Sequence, residues 1–307
     1  MGILNLTYVW VIIFFHNFTF NYSLTSRVMH PIVVGVDFSN SSVHAIEYAI
    51  PLANKIGSDI VLVWVDKFLT NESIYPDTSK DTRNEAKKRF TELIAQYKKD
   101  LAGGIKMEYK LRKGKIYHEL EILAKSVNAM MIIAGSHGLS GYEEYWIGSN
   151  AYKIVTYASC PVITVKFDFP IGPAIERILV PISSNPETLH KVPFVAKLAE
   201  IFNSELHVVV THYSSLKSIQ KIAEKYGNQA AQFFKDHKVR TIYDTLVSED
   251  ITKAVITYSA AISADLIGIM TDQETPATIL LGPHSQRLIN QSPQPVLSMH
   301  PQENFFL

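Results

Sequence analysis

Ile32-Val-Val-Gly-Val36 returns 146 positions later as Ile178-Leu-Val-Pro-Ile182, and Ser58-Asp-Ile-Val-Leu-Val-Trp64 returns at the same separation as Ser204-Glu-Leu-His-Val-Val-Val210. Short β-branched runs like these, separated by longer stretches of helical periodicity, read as β-α-β units and hence as a mainly parallel sheet. In the first copy the pattern predicts strands over 32–36, 60–65, 106–111, 130–134 and 162–165, and helices over 42–56, 80–101, 117–126 and 149–157. A third matched pair, Cys160-Pro-Val-Ile163 and Gln294-Pro-Val-Leu297, lies 134 apart, so the second copy is 12 residues shorter in net, with much of the loss expected between Lys67 and Ser79. The fold expected is α/β: two tandem five-stranded, mainly parallel sheets with helices on both faces.

The repeat sets the expected domains at 29–166 and 176–301. The joint 167–175 (FDFPIGPAI) holds two prolines and a glycine, as a linker should, and 302–307 is a short tail. Within 1–28 the apolar run Tyr8–Phe15 is too short to span a membrane, which takes about 20 residues. The first Lys or Arg is Arg27, so the basic start of an export signal is missing, and the segment is expected to be a disordered extension or to precede a true start at Met29, with a signal or anchor as the less favoured alternative. With 29 basic and 29 acidic residues the chain has no net charge to attract nucleic acid or a membrane surface. The lone Cys160 excludes an intramolecular disulfide and a cysteine zinc cluster, and fits a reducing, cytoplasmic location.

In an open parallel sheet, ligands bind beyond the carboxyl ends of the strands where strand order reverses, so the residues after the first and fourth strands decide the chemistry. Here these are Asp37 and a loop that runs Gly135-Ser-His-Gly138, then nine residues, then Gly148-Ser149 at the start of a helix. Glycines let phosphate oxygens approach backbone amides, and a helix N-terminus adds free N–H groups and positive dipole. Ser149 adds a hydroxyl, while Asp37 can accept hydrogen bonds from a ribose or an adenine amino group. An isolated Gly-x-x-Gly more often only turns the chain. Its place after the fourth strand, with a helix beyond it and an acid after the first strand, favours an anion or nucleotide site.

Gly-x2-Gly-x9-Gly-Ser after an apolar strand, followed by Cys-Pro-Val, resembles the ATP-binding subgroup of the universal stress protein family. Ile-Val-Val-Gly-Val-Asp-Phe-Ser-Asn-Ser-Ser over 32–42 resembles that family's first strand and turn. The resemblance implies a Rossmann-like, adenine nucleotide alpha hydrolase-like fold and ATP, with Mg²⁺, as the ligand. It implies adenosine contacts from Asp37 and the strand end near Val65, and phosphate contacts from Gly135, Gly138, Gly148 and Ser149, with Asn150 next in line. It also implies an internal pseudo-dimer through the last strands of the two copies, and allows a homodimer of two chains. Glu143 and Glu144 in the spacer depart from the family pattern and lower the affinity expected for a triphosphate.

The second copy has Met270 opposite Gly135, Gln273 opposite Gly138, Pro283 opposite Ser149 and Ser183 opposite Asp37, while Gly282 keeps its place opposite Gly148. Proline at a helix start cannot donate to an anion, so this half is expected to be structural or regulatory. His137 has no partner at catalytic spacing, and eleven histidines show no His-x3-His pair for a metal. No catalytic residue is assigned, and turnover is expected to be slow or absent. A nucleotidyltransferase or ATP pyrophosphatase would carry His-x-Gly-His or Ser-Gly-Gly-x-Asp-Ser, and neither is present. The alternatives to an ATP-binding stress or signalling protein are thus a scaffold that binds no nucleotide and, less favoured, an ATP-using enzyme.

Overall fold

The β-branched runs are buried on both faces, the condition under which a parallel strand can be apolar throughout. The computed structural model describes residues 30–66, 78–136, 149–212, 216–271 and 282–301. The first half contains β1 (Ile32–Gly35), α1 (Asn40–Ile56), β2 (Ile60–Asp66), α2 (Thr78–Tyr97), β3 (Met107–Lys113), α3 (Ile116–Ser126), β4 (Met131–Gly135), α4 (Ser149–Tyr157) and β5 (Val162–Val165). The second contains β6 (Arg177–Ile182), a 3-10 turn (Pro186–Leu189), α5 (Val192–Phe202), β7 (Glu205–His212), α6 (Lys217–Asp236), β8 (Thr241–Val247), α7 (Ile251–Ala261), β9 (Leu266–Met270), α8 (Pro283–Gln291) and β10 (Val296–Met299). The helix expected to reach residue 101 stops at Tyr97 and tightens into a 3-10 turn over Lys98–Asp100. The extension before Met29, the loop from Lys67 and the tail from Gln302 lie outside the described residues.

The repeat holds down to individual caps. Helix α1 starts at Ser39, whose hydroxyl accepts from the Ser42 N–H, and ends at Gly57, left-handed with φ 81°. Helix α5 ends at Asn203, φ 57°, 146 positions on, and the two residue types are those that tolerate this conformation best. The amides that follow, Ser58 and Ser204, close onto Ala53 and Ala199 carbonyls at 3.0 and 2.9 Å.

The ten described strands form one sheet in the order β3-β2-β1-β4-β5-β10-β9-β6-β7-β8. This corrects the expectation of two separate five-stranded sheets. The halves fuse because β5 and β10 pair antiparallel, Val296 opposite Thr164, Leu297 opposite Ile163 and Ser298 opposite Val162; all other neighbours are parallel. Alone, each four-residue strand would leave a row of unpaired backbone groups beside fully apolar side chains. Helices α1, α2, α5 and α6 cover one face in a single core that includes Ile46, Phe90, Phe194 and Phe234 from both halves. Helices α3, α4, α7 and α8 cover the other, with Leu120, Ile154, Val255 and Leu288. No described helix is long and apolar enough to cross a membrane.

Just past β10, His300 is buried between the halves. Its Nε2–H donates to the Val155 carbonyl in α4 at 2.6 Å, and its Nδ1 lies 2.7 Å from the Thr271 hydroxyl, which donates to a neutral ring. Burial, outweighing the bond to Val155, holds the His300 pKa below the ordinary imidazole value of 6.5.

Leu297→Ala, at the centre of the junction and fully buried, is expected to cost about 3 kcal/mol. A urea melt should still show one transition for the whole chain; two separate transitions would mean that the junction does not couple the halves. Unfolded His300 takes up a proton near pH 6.5 that the folded ring refuses, so its contribution is complete above that pH and is lost as pH falls through the lowered folded value. His190, lowered chiefly by burial, adds the same sign. Urea midpoints should therefore fall between pH 7 and pH 5 by an amount that His300→Asn reduces, and an identical profile in that variant would rule His300 out as a source.

Candidate functional site

Strand order reverses between β1 and β4: β1 has β2 on its far side, β4 has β5. The crevice at their carboxyl ends is where such a sheet binds ligands. Asp37 stands two residues beyond the end of β1 and is exposed. Its Oδ1 accepts from the Ser39 N–H at 3.0 Å and the Ser39 hydroxyl at 2.6 Å, while its own N–H donates to the Ser42 hydroxyl at 3.2 Å. These bonds orient the carboxylate from the start of α1. Phe38 turns the chain there with φ 62°, unusual for a non-glycine residue, and its ring is held by Phe90 at 4.9 Å and by the Arg89 guanidinium over its face at 5.3 Å.

Gly135 ends β4 beside this turn. A side-chain carbon there would fall 2.5 Å from the Ser41 carbonyl oxygen and 2.7 Å from its carbon, so glycine is required for the strand to pass the first turn of α1. The packing of strand on helix accounts for this glycine without any phosphate. Helix α4 opens with exposed Ser149 and half-buried Asn150, at the carboxyl edge of the sheet, because it returns the chain to the start of parallel β5. Its first-turn N–H groups have no acceptors within the helix. Gly138, Gly148, His137, Glu143, Glu144 and Trp146 lie outside the described residues.

Val65 is buried near the end of β2. The residue that sequence reasoning passed over is the next one, Asp66, whose Oδ2 is buried with no hydrogen-bond partner among the described residues. A buried oxygen left without a donor costs on the order of 1–3 kcal/mol. An acid directly after a fully apolar strand was the available signal.

The second half rebuilds the turn with different side chains. Ser183 N–H donates to the Thr188 hydroxyl at 3.3 Å, and Asn185 N–H to the Ser183 hydroxyl at 3.3 Å, each 146 positions from its counterpart. The carboxylate is gone, Met270 ends β9, and Pro283 begins α8. Gln273 lies outside the described residues. Beyond the carboxyl ends of β6, β7 and β9 there is nevertheless a cavity of about 340 Å³, whose polar lining includes Ser183, Asn185, Thr188, Lys191, Thr211 and His212. The expectation of a structural or regulatory half did not specify such a space. Because β5 and β10 run antiparallel, this cavity and the first-half crevice open at opposite edges of the sheet.

Burial, ahead of the charge on Glu121, pushes the Cys160 thiol up to about 12, which disfavours the thiolate. Among the described residues no cluster of three His, Cys, Asp or Glu side chains could hold a metal ion.

Comparison with known proteins adds the family. The model of the universal stress protein family matches residues 29–166 and 174–300. Universal stress protein YxiE of Bacillus subtilis is 28% identical over 148 residues, covering 45% of this chain and 100% of its own length. Universal stress protein MJ0531 of Methanocaldococcus jannaschii is 26% identical over 143 residues, covering 44% of this chain and 81% of its own. The crystal structure of a universal stress protein from Archaeoglobus fulgidus covers 89% of this chain and 98% of that one, with a TM-score of 0.73 at 18% identity, a likeness of fold.

Gly135→Ala is expected to destabilise the protein by roughly 1–3 kcal/mol through the contact with Ser41. Thermal melts without any nucleotide test this, since loss of a phosphate contact alone would leave them unchanged.

Proposed function

The chain belongs to the universal stress protein family, and from that premise we propose that its first half binds ATP and that the protein acts in stress response or signalling, with slow or no turnover. The observation that carries this reading is the pair of acids at neighbouring strand ends. Asp37 is oriented and exposed after β1, and Asp66 holds a buried oxygen without a donor at the end of β2. Both suit the N–H and O–H donors of a nucleoside. Across the switch point, α4 opens with Ser149 and Asn150, whose free N–H groups suit phosphate oxygens. Gly135 acts by letting β4 and α1 close together, and the phosphate contacts proposed for Gly138 and Gly148 rest on the family motif alone. Mg²⁺ would enter with the triphosphate, neutralising part of its charge.

In this reading nucleotide occupancy changes a surface offered to partners. A single cysteine, which forms no disulfide within the chain, suits a reducing cytoplasm.

Protein purified without added ATP should carry adenine nucleotide at up to one per chain, and stripped protein should titrate with the same stoichiometry. Gly138→Gln, which copies the second-half residue Gln273, should weaken ATP by at least about tenfold, or ~1.4 kcal/mol. Calorimetry that finds no heat with ATP and no copurified nucleotide would favour a scaffold that binds none.

A further inference from the structure

We propose that two copies of this chain pair through the outer edge of β8, antiparallel about a twofold axis at Ile242, so that the ten-stranded sheet continues from one protomer into its partner. This does not rest on the nucleotide reading of the first half.

The sheet has two outer strands among the described residues, β3 and β8, and they are finished differently. Strand β3 (MEYKLRK) carries Glu108, Lys110, Arg112 and Lys113, with Lys110 and Glu108 ion-paired at 3.1 Å, and such charges keep an edge from pairing. Strand β8 (TIYDTLV) has one charge, Asp244, and leaves Ile242, Tyr243 and Val247 exposed at 41%, 40% and 69%. The Leu206 N–H donates to the Arg240 carbonyl at 2.8 Å. In the parallel ladder, Arg240, Ile242 and Asp244 therefore turn their backbone groups to β7, and Thr241, Tyr243 and Thr245 turn theirs outward. At the two ends of this outward row, side chains stand in for a neighbouring strand. The Val239 carbonyl accepts from the Thr241 hydroxyl at 3.0 Å, and the Thr245 N–H donates to the Asp244 carboxylate at 2.7 Å.

The order of side chains selects a second copy of this chain as the occupant. Arg240, Ile242 and Asp244 alternate onto one face of the strand as cation, apolar side chain and anion, an order that complements itself when reversed. An antiparallel pair centred on Ile242 sets Arg240 opposite the partner's Asp244, twice over, and Ile242 opposite its twin. These are the non-hydrogen-bonded positions, where facing side chains come closest, while Thr241 and Tyr243 form the hydrogen-bonded pairs through their outward groups. Centring the pair on Tyr243, Asp244 or Thr245 instead would set Asp244 against Ile242, another Asp244 or Leu246. Arg240 is placed to reach across: its side chain is 76% exposed, and Glu205 holds it at 2.8 Å through Nε, which leaves the two terminal nitrogens for a carboxylate. The chain already joins its own two halves by antiparallel pairing of short strands at β5 and β10. From Val239 to Thr245 the paired ribbon is about 23 Å long, which puts the contact at the low end of stable interfaces and the dimer in the micromolar range.

Sedimentation velocity of the full chain over roughly 1 to 300 µM should show a monomer and dimer in exchange, with a Kd of roughly 10 µM. Asp244→Arg sets arginine against arginine and should weaken the dimer at least ~10-fold, and adding Arg240→Asp to the same chain should restore it to within ~3-fold of wild type. Ile242→Lys, an exposed position, should weaken it at least ~10-fold with the melting temperature little changed. Ile242→Cys should link two chains under mild oxidation, because the twin positions lie about 4.5–5.5 Å apart between Cα atoms, within the reach of a disulfide. Should the doubly charge-reversed chain not fold, the lysine and cysteine variants decide. A wild type that stays monomeric throughout, the result expected if another segment or a different protein covers β8, would overturn the proposal. So would a dimer that Asp244→Arg and Ile242→Lys leave intact, or a folded double reversal that stays as weak as Asp244→Arg alone.

Discussion

Three residue pairs join β5 to β10, and both cores, the single sheet and the placing of the first-half crevice and the second-half cavity follow from that junction. The strands are short, with every side chain buried, so neither half could expose its last strand to water without uncovering apolar surface and unpaired backbone groups together. Pairing them antiparallel relates the halves by an approximate twofold axis. The same geometry sends the carboxyl ends of the two strand sets to opposite edges of the sheet, so the crevice and the cavity cannot share residues. His300 strengthens the junction from outside the ladder, at the cost of burying an imidazole that must stay neutral.

Within that frame, one backbone design carries two different linings. The turn after the first strand closes with equivalent hydrogen bonds in both halves, through Asp37, Ser39 and Ser42 in one and Ser183, Asn185 and Thr188 in the other. Hydroxyl, amide and carboxylate oxygens can all accept the backbone N–H groups that such a turn presents. The fold therefore tolerates exchange among them, while the charge at the turn changes from negative to neutral. The same holds one strand over, where Asp66 and His212 occupy equivalent strand ends. Duplication of a domain frees one copy to change its lining in this way without disturbing the scaffold.

The glycines divide differently. Gly135 belongs to a phosphate-loop pattern when read along the chain, yet its contact with Ser41 is a matter of strand passing helix. A residue can satisfy a motif for packing reasons, and here the two roles are compatible, since close packing of β4 on α1 also brings the loop's start next to Asp37.

The sequence by itself determined the repeat, the strand and helix order, the β1 turn and the membership of its parts in one family, because hydrophobic period, caps and turn residues are local properties written into neighbouring positions. It also carried the arrangement of last strand against last strand, though only through the resemblance, since four-residue apolar runs do not state their partners. The tertiary structure decided that the sheet is one rather than two, that Gly135 is held by Ser41, that an oxygen of Asp66 and the ring of His212 are buried at the ends of β2 and β7, and that Lys191 is buried at the start of α5. Those facts depend on which atoms meet across more than a hundred residues. Burial and the lack of a hydrogen-bond partner are properties of such meetings and not of the residue itself.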